Sequence, residues 1–136
     1  MRRMELGSLE PGQTLCERDV ALTWERVAAY VDAVGGDAEV YRRLCAAPPT
    51  AVAALALAAA MEAVALPAGA VHTGQELAFA APAPIGSQLR CVAAVASNSV
   101  RRGARFLSID LRALDATGAA VVEGRTSLVV AEEGSV

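Results

Sequence analysis

The chain has no lysine; all twelve of its basic residues are arginines. Without a lysine amine it cannot form a Schiff base, which removes one class of covalent catalysis. It has a single histidine, His72. Aromatic residues make up only 4% of a composition that is 54% hydrophobic, so the core has to be built from Ala, Val and Leu. Cysteine is scarce too. Cys16, Cys45 and Cys91 fit no zinc-ligand spacing, and an odd count does not make a disulfide framework, so reduced, buried thiols and no metal or cofactor are expected. Excess positive charge is also missing: the net charge is −3 and the pI about 5.1. Nucleic-acid binding is therefore not expected. The run from Ala46 to Met61 is uncharged, opens near two prolines and stops at Glu62. A membrane-spanning helix needs about 20 apolar residues, so this run reads as a core helix. The opening "MRRMELGSLEPGQ" is charged and lacks the apolar stretch of a secretory signal, so a cytoplasmic location is expected.

The residues that are present change period once along the chain. "QTLCERDVAL" reads as a first strand. Thr23 can cap a helix carrying Trp24, Val27, Ala28 and Val31 on one face, and Gly35-Gly36 stops it. "DAEVYRRLC" is a polar loop or short helical turn. Pro48 and Pro49 then introduce "AVAALALAAAMEAVAL", apolar on all sides and expected to be surrounded by protein, with Pro67 beyond its end. After residue 70 the period becomes two. Four strands follow: "VHTGQELAFA", "QLRCVAAVAS", "ARFLSIDLRAL" and "AAVVEGRTSLVVA". Leu89, Cys91, Ala93 and Val95 share one face, as do Leu107, Ile109 and Leu111. Asp115 to Gly118 is a turn, and residues 132–136 are expected to fray. The pattern predicts an α+β domain over residues 1–136, an antiparallel meander wrapped around the long apolar helix, with strand edges that pair between subunits.

Four segments in order resemble a known family: "VGGDAEVYRRL", "APPT" ahead of the central helix, "VHTGQELAFAAPAPIGSQL" and "DATGAAVVEGRTSLVV". Together they resemble the hot-dog fold and, more narrowly, the MaoC-like dehydratases and their FAS1-type N-terminal half. The resemblance implies reversible dehydration of (R)-3-hydroxyacyl thioesters. That chemistry needs a base for the α-proton, an acid for the departing hydroxyl and N–H donors for the enolate-like oxygen. Catalytic members resemble one another in an Asp-x-x-x-x-His dyad after a Gly-Asp. Here Gly36-Asp37 matches the Gly-Asp, but Arg42 occupies the histidine position. An arginine stays protonated and cannot be the base. The resemblance therefore implies a non-catalytic, pocket-forming subunit, whose hot-dog partner supplies the dyad for a substrate carried on acyl carrier protein or coenzyme A.

Other candidates follow from position. Asp37 is either a vestigial site residue or a turn and cap residue. His72 alternates with Gly74 and Glu76; four strand residues span about 13 Å, so His72 and Glu76 are no direct dyad. His72 and Gly74 are candidate substrate contacts. Thr50, Ala51 and Val52 are candidate N–H donors at the helix start. Glu62 is the candidate base of an alternative homomeric thioesterase. A third alternative is a non-enzymatic acyl-thioester binding module. Arg42, Arg43, Arg101, Arg102 and Arg105 are candidate contacts for an acidic carrier or the coenzyme A phosphates.

Overall fold

The computed structural model describes residues 3–132; the expected frayed tail lies outside them except for Glu132. A short strand β1 (Met4–Glu5) and a 3-10 turn (Leu6–Ser8) lead to β2 (Thr14–Ala21). Helices α1 (Trp24–Ala33), α2 (Ala38–Leu44) and α3 (Pro49–Ala63) follow. Next come β3 (Val64–Ala65), β4 (Val71–Phe79), β5 (Gln88–Arg101), β6 (Ala104–Leu114) and β7 (Ala120–Ala131). The main sheet is antiparallel, in the order β2-β5-β6-β7-β4. This is a hot-dog-like α+β arrangement, with the sheet packed against α3.

Local chemistry sets the helix ends. The Thr23 side chain accepts a hydrogen bond from the Arg26 N–H at 3.2 Å. Gly35 ends α1 with φ +77°, a conformation glycine adopts without strain. Of the two readings of this segment, polar loop or short helical turn, the helical one holds: it is the seven-residue helix α2. Pro49 sits in the first turn of α3, where its missing N–H has no intrahelical acceptor to serve.

α3 departs from expectation in two ways. It ends at Ala63, because Val64 and Ala65 pair in parallel with Met4 and Glu5. It is also not enclosed on all sides. Ala51, Val52, Ala53, Ala56, Ala59, Ala60 and Ala63 are buried, whereas Thr50, Ala54, Ala58 and Glu62 form an exposed stripe at four-residue spacing. Alanine is acceptable on either side of a helix, so the composition does not reveal which face is wet. No helix among the described residues is long and apolar enough to cross a membrane.

Alternation in β5 and β6 is as expected. Leu89, Cys91, Ala93 and Val95 are buried, and so are Leu107, Ile109 and Leu111. Each fully buried leucine or isoleucine side chain contributes about 1.5–3 kcal/mol. β4 is not part of a simple meander. It crosses to the far side of β7 and forms the sheet edge. Leu77 of β4 lies against Gly124 of β7. A Cβ at Gly124 would come within 2.5 Å of the Glu76 carbonyl oxygen and 2.8 Å of Leu77 Cδ2.

A polar tie fastens the beginning of the chain. Asn98 Nδ2 donates to the carbonyls of Leu6 and Leu9, each at 2.9 Å. Its Oδ1 accepts from Arg105 at 2.8 Å, and the same guanidinium pairs with Glu132 at 2.6 and 3.1 Å. The Arg105 side chain is only 12% exposed. A charge this buried depends on its partners, and here both carboxylate oxygens are bonded.

The cysteines divide by environment. Cys91 is buried and Cys16 half-buried, but Cys45 is exposed, contrary to the expectation that all three are inside. Cys45 caps α2 in the left-handed region at φ 53°, a turn position that leaves its side chain outside the core. Desolvation pushes the Cys91 thiol up to about 11 and also raises Cys16.

Two measurements check this packing. Gly124→Ala should destabilise the chain by about 1–3 kcal/mol in urea unfolding, because β4 backbone has to shift. Gly74→Ala, where nothing lies within 4 Å of the added carbon, should stay within about 0.5 kcal/mol. A thiol reagent near neutral pH should modify Cys45 in the folded chain and reach Cys91 only on unfolding; equal rates at both would contradict the burial described.

Candidate functional site

α2 and the linker after it form the frame of the site. Asp37 is the N-cap of α2, its carboxylate accepting the Glu39 N–H at 3.0 Å. Gly36 closes over the end of α1, donating to the Val31 carbonyl at 2.9 Å. At the other end, the Cys45 carbonyl accepts from the Ile85 N–H and the Ala47 N–H donates to the Ala83 carbonyl, both at 2.9 Å. These bonds hold the start of α3 against the turn that precedes β5.

Arg42 sits at the histidine position of the resembled dyad. Its guanidinium lies over the Trp24 ring, 5.5 Å from the centroid, and pairs with Glu39 at 3.4 Å. The cation–π contact joins α2 to α1, while the ion pair stays within α2. Arg43 is exposed and has no ion pair among the described residues. Asp37 and His72 lie on different elements and share no hydrogen bond, so the structure assembles no Asp–His pair.

Between the C-terminal end of α2, the start of α3 and the end of β4 lies an open apolar groove of about 400 Å³. Tyr41, Leu44, Pro49 and Phe79 border it. Leu44 and Phe79 are 66% and 47% exposed, unusual for large apolar side chains in a chain with so few aromatics.

The start of α3 offers fewer donors than its position suggests. Pro48 and Pro49 have no N–H, and the Ala51 N–H is spent on the Pro48 carbonyl at 2.9 Å. Ala51 and Val52 are buried. Thr50 is exposed, and its side chain accepts from the Tyr30 hydroxyl at 2.9 Å. That Tyr30–Thr50 link had no sequence signal, since the two residues are twenty positions apart.

His72 does not share a face with Gly74 and Glu76. The β4–β7 register pairs His72 with Leu128 and then, after a shift, Gly74 with Ser127, Gln75 with Thr126, Leu77 with Gly124 and Phe79 with Val122. Thr73 is the bulged residue, and a one-residue bulge reverses the alternation. Leu128, Thr126 and Val122 are buried beneath α3. The helix-facing side of β4 therefore carries His72, Gln75, Leu77 and Phe79, and the outer side carries Gly74 and Glu76. Sequence reading missed Gln75. A glycine inside a strand pattern is a bulge signal, and Gly74 supplied it. α3 packs on β2, β5, β6 and β7, and every β4 residue except Leu77 is exposed.

The remaining candidates lie elsewhere. Glu62 forms an ion pair with Arg18 of β2. Arg101 stacks on Phe106 at 4.7 Å, and Arg102 sits at the hairpin apex with φ 51°. Arg105 is held in the Asn98–Glu132 network. Among the described residues no group of three or more His, Cys, Asp or Glu side chains is arranged to hold a metal.

Comparison with known proteins places this geometry. The family model for the FAS1-like dehydratase domain region matches residues 11–124. No curated protein matches the chain in sequence. Among solved structures, the R-hydratase PhaJ1 of Pseudomonas aeruginosa is 22% identical with a TM-score of 0.74, covering 94% of this chain and 86% of that one. The HadBC (3R-hydroxyacyl-ACP dehydratase) complex of Mycobacterium tuberculosis is 21% identical with a TM-score of 0.69, covering 89% and 98%. The ChsH1–ChsH2 complex of Mycobacterium tuberculosis is 12% identical with a TM-score of 0.68, covering 88% and 96%. At these identities the structures establish the fold, and the family model establishes membership: the chain belongs to the FAS1-like dehydratase domain region family.

Proposed function

We propose that this chain is the non-catalytic, groove-forming subunit of a (R)-3-hydroxyacyl thioester dehydratase of cytoplasmic fatty-acid or polyketide chain building, with the Asp/His dyad supplied by a partner hot-dog subunit. The observation that carries the reading is Arg42. It stands where the dyad histidine belongs and is engaged by Trp24 and Glu39, so it has neither the protonation state nor the freedom of a base. Asp37, occupied as a cap, has no partner for acid–base work.

Two further features support a partner. β4 is a sheet edge exposed on both faces, and its unpaired backbone groups suit strand addition. The apolar groove beside it is open, as half of a pocket would be. Similar folds occur in the HadBC and ChsH1–ChsH2 complexes. In the assembled site the partner's base would take the α-proton and its acid would protonate the departing hydroxyl. This chain would hold the acyl group against Leu44, Phe79 and the start of α3. Of the five candidate arginines, Arg43 and Arg102 are the exposed ones with neither an ion pair nor a ring contact among the described residues, which leaves them available to acyl carrier protein or the phosphates of coenzyme A. The thioesterase alternative is weakened by Glu62, whose carboxylate is engaged by Arg18.

Co-expression with an Asp/His-bearing hot-dog protein should give a complex that removes water from 3-hydroxyacyl thioesters, while this chain alone is inactive. Full dehydratase activity from the chain alone would overturn the subunit reading. In the complex, Asp37→Ala should cost about 1 kcal/mol of stability through loss of the cap yet leave kcat/KM unchanged; a large fall in kcat with stability intact would make Asp37 catalytic.

A further inference from the structure

The groove beside the start of α3 has one polar side chain on its border. Apart from Tyr41, the residues that line it are Leu44, Phe79, two prolines and four alanines. No charged residue is among them. Any ligand seated there can therefore make a side-chain hydrogen bond within the groove only to the Tyr41 hydroxyl.

The chain has two tyrosines, and they are used differently. The Tyr30 hydroxyl donates to Thr50 at 2.9 Å. The Tyr41 hydroxyl makes no hydrogen bond among the described residues, and it is not sealed in: Thr126 Oγ1 is the one buried side-chain polar atom there without a partner. Its ring is nevertheless fixed. Tyr41 is half-buried and packs against the core cluster that contains Ala47, Ala83 and Val122. Its backbone carbonyl accepts from the Ala46 N–H at 3.3 Å. Phenylalanine would pack equally well, so an open hydroxyl is what tyrosine adds at this position. A donor on a ring already held by packing loses little freedom when it binds.

We propose that Tyr41 is the specificity residue of the groove, its hydroxyl donating a hydrogen bond to an oxygen of the bound acyl thioester while Leu44 and Phe79 flank the hydrocarbon. The oxygen is the thioester carbonyl or the 3-hydroxyl, since either accepts from a phenol. A ligand with only methylenes at this point covers the hydroxyl and leaves it unpaired. An apolar surface alone separates ligands weakly, by size; a hydrogen-bonding group that must be matched separates them by chemistry. The proposal rests on the thioester reading of the groove, and the experiment separates the two.

The test is calorimetric titration with octanoyl-pantetheine, 3-hydroxyoctanoyl-pantetheine and S-octyl-pantetheine, which lacks the thioester carbonyl. It uses the complex with a dyad-bearing hot-dog partner whose two dyad residues are replaced by asparagine, so that no probe turns over. If the hydroxyl reads the carbonyl, Tyr41→Phe should weaken both thioesters roughly three- to tenfold and leave S-octyl-pantetheine unchanged. If it reads the 3-hydroxyl, only the 3-hydroxyoctanoyl probe should weaken. The ring is retained, so the urea midpoint of Tyr41→Phe should not move. Unchanged affinities, or an equal loss for all three probes, would overturn the role of Tyr41 and leave the groove standing. Leu44→Glu, at an exposed position, checks the groove itself: the charge should abolish binding of every probe. Undiminished binding in that variant, or no binding of any probe to the unaltered complex, would remove the thioester reading of the groove and the proposal with it.

Discussion

The close seat of α3 on the sheet is the contact on which the rest depends. Its buried face is almost entirely alanine, with Val52 the exception. Methyl groups let the helix axis approach the strands, and the bulk of the core then comes from the sheet side, from Leu107, Ile109, Leu111 and Leu128. A chain with two phenylalanines and one tryptophan has little other means of filling a core. The arrangement also limits what the helix can cover. A narrow helix lying close over β2, β5, β6 and β7 leaves β4 beyond its reach, and the uncovered strand and open groove follow from that geometry.

Around this contact, residues that resemble an active site serve as fastenings. Asp37 caps α2, Arg42 bridges α2 to Trp24, and the linker after Cys45 is bonded to the turn at Ala83 to Ile85. The charged groups of this loop are spent on holding its own shape. At the far end of the sheet, Asn98, Arg105 and Glu132 do the same for the first residues of the chain. Both ends of the fold are thus secured by polar contacts whose side chains are committed within the chain.

Much of this was legible in the sequence. Thr23, Gly35 and the proline pair mark helix ends because capping and proline geometry are local. The alternation of β5 and β6 is readable because one face of each is buried. What was not legible depends on pairing across the chain. Nothing in residues 71–79 shows that β4 crosses beyond β7, and the bulge at Thr73 reverses the faces of His72 and Gln75 although Gly74 hinted at it. Arg105 read as a surface cation because its partners lie seven and twenty-seven residues away. Polyalanine carries no facial signal, so the exposed stripe of α3 stayed hidden. The dyad position could be read directly, since the spacing from Asp37 to Arg42 is fixed by the sequence, but the engagement of Arg42 by Trp24 could not.

The central claim is that β4 and the groove beside it are half of an interface that a dyad-bearing hot-dog subunit completes. Hydrogen exchange at the amides of residues 71–79 tests it most directly, comparing the isolated chain with the chain co-purified with such a partner. The account predicts that the amides of this strand that point away from β7 exchange rapidly alone and become strongly protected in the complex, while β5 and β6 change little. Equal exchange of β4 in both states, with protection appearing at another surface, would contradict it.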